Sequence, residues 1–232
     1  AREALRQVAY RTPLLRSDDI DRELGRPVWF KAECLQRTGS FKVRGAWNRC
    51  QHIPPAELSR GVVAYSSGNH AQGVASAAQR LGIPATIVMP ADAPAAKRTA
   101  TEGYGAKVVL YDRGSESREA IGEEIQSRTR ATLIRPFDDA WVIAGQATAT
   151  LEAIEDAEEL GVQFDAMLCP ASGGGLLAGA AIVLAERSKQ TALHVAEPQG
   201  HDDHLRSLEH GLVVENAPGF RSIADALLAP QP

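Results

Sequence analysis

The chain is 232 residues long, 44% hydrophobic, with a formal net charge of -4. That length allows one large domain or two small ones with a sizeable buried core, and the mild negative charge argues against a nucleic-acid or anionic-membrane protein, which would carry a basic excess. The three cysteines, Cys34, Cys50 and Cys169, lack metal-ligand spacing and read as reduced thiols of a cytoplasmic protein, and no apolar run reaches the roughly 18 residues of a membrane-spanning helix.

The N-terminal stretch AREALRQVAYRTP is charged and helical in pattern, without the apolar run of a signal peptide. Thr38-Gly39-Ser40 reads as a turn and helix cap leading into Phe41 and Lys42. Short β-branched runs then alternate with alanine-rich helical runs. GVVAYSS (61–67), PATIVMP (84–90), AKVVLYD (106–112) and ATLIRPF (131–137) read as strands. The intervening segments 69–82, 93–105 and 115–130 read as helices, the first closed by Gly82. Strand–helix alternation at this spacing predicts parallel sheets flanked by crossover helices, an α/β fold.

The same alternation resumes after residue 138. A long helix is expected within 141–161, a buried strand at 164–172, a helix at 175–188 and a strand at 191–198. This pattern predicts a small α/β domain (61–138) inserted in a larger one (1–60 and 139–232), with a ligand cleft between them. SIADALLAPQP supplies no closing helix or strand, so the large domain is expected to be one or two βα units short at its C-terminus.

Three stretches carry chemistry. In SFKVRGA, Lys42 follows a large apolar residue, in a chain with five lysines among 25 basic residues. Burial beside apolar groups lowers an amine's pKa and makes it a nucleophile able to form a Schiff base with an aldehyde. In SSGNHAQG (66–73), hydroxyls, an amide and backbone donors meet at a strand-to-helix turn suited to a carboxylate. In ASGGGLLAG (171–179), three glycines open a helix and form a phosphate cradle without the G-K-[ST] of a nucleotide loop. Taken singly, each has an ordinary alternative: a snorkelling lysine, a Ser/Asn helix cap, a tight strand–helix turn. Together they describe a pyridoxal phosphate (PLP) site, with lysine for the aldehyde, glycines for the phosphate and the Ser/Asn turn for an amino-acid substrate.

From RTPLL (11–15) through TGSFKVRGA, SSGNHAQG, IAGQAT (143–148), SGGGLLAG and AEP (196–198), the chain resembles the fold-type II PLP enzymes, which have a two-domain, tryptophan synthase β-like architecture. It is most similar to their threonine/serine dehydratase and serine racemase branch. The resemblance implies that Lys42 forms the Schiff base and acts as the base at the substrate's Cα, that Phe41 packs against the pyridine ring, and that Asn69 bonds the ring hydroxyl. It places the phosphate on Gly173, Gly174, Gly175 and Leu176. The substrate carboxylate falls among Ser66, Ser67, Gly68, Asn69 and His70, and Ser67 matches the serine that serves racemases as acid/base opposite the lysine.

Similarity in EPQGHDD implies Mg²⁺ or Ca²⁺ at Glu197, the His201 backbone carbonyl and Asp203, oxygen ligands that suit hard cations. Arg135 is a candidate for a second substrate carboxylate. The residue that bonds the pyridine nitrogen in the family lies in a C-terminal region absent from this sequence. The implied activity is β-elimination from L-threonine or L-serine to a 2-oxo acid and ammonia. The alternatives are threo-3-hydroxyaspartate dehydratase, serine racemase or a non-catalytic PLP-binding protein. A homodimer or tetramer is expected, acting on a small amino acid, with neither nucleic acid nor membrane as partner.

Overall fold

The computed structural model describes residues 1–232 except Ser67, Pro218 and Arg221. In chain order its elements are α1 (Arg2–Leu5), β1 (Leu14–Leu15), α2 (Asp18–Leu24), β2 (Phe30–Lys31), α3 (Lys42–Cys50), β3 (Val62–Tyr65), α4 (Asn69–Leu81), β4 (Ala85–Pro90), α5 (Ala95–Gly103), β5 (Lys107–Tyr111), α6 (Arg118–Thr129), β6 (Thr132–Leu133), α7 (Ala140–Glu159), β7 (Ala166–Pro170), α8 (Gly175–Arg187), β8 (Ala192–Ala196) and α9 (Asp203–His210). None of the described helices is long and apolar enough to cross a membrane. Cys34, Cys50 and Cys169 are free thiols.

The main sheet is four parallel strands in the order β5-β4-β3-β6. Side chains alternate between its faces. Val62, Ala64, Ile87 and Met89 join one buried cluster with residues of α3 and α4, while Val63, Val88 and Tyr111 join another with Ile125 of α6. Both faces are covered, as all-parallel sheets require. β6 is much shorter than the expected 131–137 strand. Ile134 N still donates to Val63 O, but two residues later Pro136 has no N–H to donate, and the chain leaves the sheet. The N-terminal helix is likewise confined to α1.

β7 and β8 form a separate parallel pair, with Cys169 opposite Val195. The 164–172 strand is not buried as expected. Cys169 is the one buried residue of β7, and Leu168 is 72% exposed. α7 begins where the Asp139 carboxylate accepts from Trp141 N and Val142 N. It runs for 20 residues and packs against both α3 and α8, joining the helix that carries Lys42 to the helix that carries the glycine loop.

Candidate active site

Lys42 is the first residue of α3. Gly39 takes φ +72°, a left-handed turn that glycine accepts without strain, and Ser40 Oγ accepts from Lys42 N at 3.4 Å. This turn sets the lysine at the helix mouth. Its Nζ donates to Pro136 O at 2.9 Å and lies 5.3 Å from the centroid of the half-buried Phe41 ring. Burial, with no acid to offset it, pushes the Lys42 ammonium down to about 8.

The helix beneath is firmly anchored. Arg44 is fully buried, and its guanidinium takes Glu33 Oε2 at 2.8 Å, Glu33 Oε1 at 2.7 Å and both Glu152 oxygens at 2.7 Å. Burial alone would lower its pKa, but the bonds to Glu33 and Glu152 raise it, so the arginine is a permanent cation. α3 and α7 cross at Gly45 and Gly145, where a Cβ on Gly145 would fall 2.5 Å from Arg44 O. α4 meets α3 at Gly73, where a Cβ would fall 3.0 Å from the Lys42 carbonyl carbon. Lys42 thus stands on backbone held from two sides.

The 66–70 turn opens α4 beside it. Ser66 Oγ accepts from Gly68 N at 3.2 Å, a side-chain turn of the kind serine favours. Asn69 is the first helical residue. His70 is buried, and its Nε2 bonds Ile134 O at 2.9 Å. A carbonyl only accepts, so Nε2 carries the proton and Nδ1 is a bare acceptor, buried without a partner. Burial, then the nearby Lys42 charge, push the imidazole down to about 3, so the ring is neutral. Ser67 lies outside the described residues.

The glycine loop joins β7 to α8. Among the described residues, the amides of Gly173, Gly174, Gly175 and Leu176 have no protein acceptor; they face outward at the positive end of α8. Each glycine has a reason beyond an approaching anion. Gly174 takes φ +79°, and Cβ atoms on Gly173 and Gly175 would strike Phe137, at 2.1 and 3.0 Å.

The three stretches meet on one strip of chain after β6. His70 bonds Ile134 O, Lys42 bonds Pro136 O and Phe137 packs into the glycine loop. Phe137 was invisible to sequence reasoning, because its packing partner lies far along the chain. These features fit a group bearing an aldehyde and a phosphate: a depressed lysine amine, unfilled amides at a helix N-terminus and an orphaned buried acceptor.

The remaining candidates divide. Arg135 is exposed, pairs with Asp138 at 3.4 Å, and exerts its charge on Tyr65 on the α6 side of the sheet; nothing places it against Lys42. Glu197 and Asp203 come together, but with His204 as the third group; ligand atoms of all three lie within 4.8 Å of one another. Asp203 is buried with Oδ2 unpartnered, which suits a cation. The Glu197 oxygens accept from the His204 and Leu205 amides at 3.0 and 3.1 Å, and His204 Nε2 bonds Ser172 O at 2.8 Å beside the glycine loop. The His201 ring turns instead toward Phe220 O at 3.4 Å. Sequence reasoning also passed over Lys97, whose side chain lies along Gly68: a Cβ there would be 3.0 Å from Lys97 Cδ and 3.3 Å from Nζ.

Residues 5–232 match the family model described as "Pyridoxal-phosphate dependent enzyme". The chain is 47% identical over 214 residues to L-threo-3-hydroxyaspartate ammonia-lyase of a Pseudomonas species, covering 92% of this chain and 66% of that one. It is 40% identical over 231 residues to serine racemase of Oryza sativa subsp. indica, covering 98% and 67%. Among solved structures, maize serine racemase superposes with a TM-score of 0.92 at 38% identity, covering 98% of this chain and 68% of that one. A bacterial-type threonine deaminase superposes equally well, with a TM-score of 0.92 at 44% identity, covering 99% of this chain and 73% of that one. The chain therefore spans about two thirds of the length of the curated relatives it matches.

Proposed function

Since the chain belongs to the pyridoxal-phosphate dependent enzyme family, we propose that it is an ammonia-lyase converting a β-hydroxy amino acid to a 2-oxo acid and ammonia. The observation that carries this reading is the convergence of Lys42, His70 and the glycine loop on residues 134–137. PLP supplies the electron sink that stabilises a carbanion at the substrate's α-carbon; the residues of the chain do the rest.

Lys42 holds the aldehyde and, released by substrate, takes the proton from Cα. With its pKa at about 8, a useful fraction is the neutral base near neutral pH. The amides of Gly173, Gly174, Gly175 and Leu176 hold the phosphate. Ser66, Gly68 and Asn69 receive the substrate carboxylate at the N-terminus of α4, and the sequence adds Ser67 to that group. His70, kept neutral, adds no competing charge, and its Nε2–H ties α4 to the strip that takes the Lys42 hydrogen bond. The net change expels the β-hydroxyl as water and ends with the oxo acid and ammonia. A divalent cation at Glu197, Asp203 and the His201 carbonyl fits as a structural brace, supported by the orphaned Asp203 oxygen.

A second reading narrows the substrate. The Pseudomonas relative and a Saccharomyces cerevisiae relative at 41% identity are both named L-threo-3-hydroxyaspartate ammonia-lyase, which favours that substrate over L-threonine or L-serine. Purified protein reconstituted with PLP is offered L-threonine, L-serine and L-threo-3-hydroxyaspartate in turn, with 2-oxo acid and chiral product both followed. Oxo acid from at least one is expected. Racemisation without oxo acid would replace the ammonia-lyase reading with a racemase, and no change in any substrate would contradict both.

A further inference from the structure

We propose that Lys97 determines specificity at this site, its ammonium binding the second carboxylate of a β-hydroxy amino-dicarboxylic acid. The inference rests on the ammonia-lyase reading above and assigns the residue that selects the substrate class.

Lys97 reaches the 66–70 turn from α5, the helix packed against α4. Its aliphatic stem lies along Gly68, the centre of the turn, and only the absence of a Cβ allows this: an added Cβ would stand 3.0 Å from Cδ, 3.4 Å from Cε and 3.3 Å from Nζ. The side chain is 28% exposed, so the ammonium is drawn in over the turn rather than extended into solvent. The carboxylate turn is also the N-terminus of the helix that holds His70 and packs on Lys42 through Gly73. Lys97 therefore stands beside the place where a substrate's α-carboxylate is expected. In an amino-dicarboxylic acid with a β-hydroxyl, three bonds separate the two carboxyl carbons. A second carboxylate thus arrives where a cation on the same turn can meet it.

The structure already has a carboxylate in that role. Lys97 Nζ pairs with Asp225, which belongs to the segment after α9 and is 63% exposed. Such an exposed pair is held weakly, and a substrate carboxylate can replace it. L-Serine and L-threonine bring no second carboxylate and leave the pair intact. Arg135, the arginine suggested by sequence, pairs with Asp138 on the α6 side of the sheet, where its charge acts on Tyr65.

The test compares kcat/KM for L-threo-3-hydroxyaspartate and L-serine in the PLP-reconstituted full chain and its variants, with succinate binding measured by calorimetry. Lys97→Gln is expected to cut the hydroxyaspartate-to-serine preference about tenfold, mainly through KM, and to weaken succinate comparably. Lys97→Arg should restore part of both. Asp225→Asn, which removes the competing carboxylate and keeps Lys97, should lower KM for hydroxyaspartate severalfold. A preference in Lys97→Gln within twofold of the parent, at unchanged thermal stability, would overturn the proposal. So would a larger loss of preference in Arg135→Gln than in Lys97→Gln, or turnover of L-serine with none of hydroxyaspartate. If Lys97→Gln does not fold, Asp225→Asn decides, since an unaltered KM there contradicts the exchange. Parent protein that releases no oxo acid from any substrate would fail the ammonia-lyase reading itself, whereas oxo acid with an unaltered preference fails Lys97 alone.

Discussion

In the β5-β4-β3-β6 sheet, Val63, Ala64, Ile87, Val88 and Met89 are sealed from solvent on both faces, whereas in the β7–β8 pair Leu168 and Val195 lie open and Cys169 alone is buried in β7. Both sheets are parallel and both grow from the same kind of apolar run. The difference is in what covers them. α4 and α5 close one face of the larger sheet and α6 the other, while β7 and β8 pack against α8 alone among the described helices. The two halves of the candidate site inherit this contrast. Lys42 and His70 stand on the sealed region, beside a fully buried arginine and two glycine contacts between helices. The phosphate loop and the Glu197–Asp203 group stand on the open one. The proposed chemistry needs a lysine whose surroundings do not relax, because its amine is neutral only while water is kept away. The binding loops need exposed amides instead.

Arg44→Leu attacks the sealed region hardest. It strands Glu33 and Glu152 without their shared cation, and urea denaturation should show a loss of roughly 3–5 kcal/mol, with PLP binding falling alongside. An unchanged midpoint would mean that the buried network does not hold α3.

Acid should also act on this region first. The folded-state pKa of His70, about 3, lies below the ordinary value near 6.5. The unfolded chain therefore binds the extra proton between those limits. The contribution is whole above pH 6.5 and declines as pH falls, by about 1 kcal/mol at pH 5.5. His70→Gln should flatten this part of the stability–pH curve measured by denaturant titration at constant salt. A curve that stays equally steep would place the acid sensitivity elsewhere.

The open region should tolerate change. Leu208, on α9, is 76% exposed, and Leu208→Gln should shift stability by no more than about 0.5 kcal/mol. A larger loss by thermal denaturation would show that this face is covered in solution, and would narrow the contrast between the two sheets.

Much of this arrangement was legible in the sequence, and the reasons are local. Phe41 beside Lys42 announces a lysine drawn from water. Gly82 closes α4 with φ +65° as its position predicts. The glycine run marks the start of α8 because helix entry and tight turning both need it. What was not legible depends on chain distance. FDAMLCPAS carries the apolar signal of a buried strand, but a run of residues does not state whether a partner covers each face. Phe137, His204 and Lys97 gain their places only through contacts with Gly173, Ser172 and Gly68, each 29 residues or more away in sequence. The shortening of β6 was within reach, since Pro136 sits in the middle of the expected strand. Arg135 drew attention for its charge and its place before that proline, and neither feature fixes the face to which the side chain turns.

The most direct measurement is visible absorbance as PLP is added to the protein across pH 6.5–9.5, alongside Lys42→Ala. The expected result is an imine band whose rate of appearance rises with a midpoint near pH 8, following loss of the Lys42 proton, and no such band in Lys42→Ala at comparable thermal stability. A band of equal size in Lys42→Ala would contradict the assignment of Lys42 as the amine that takes the aldehyde.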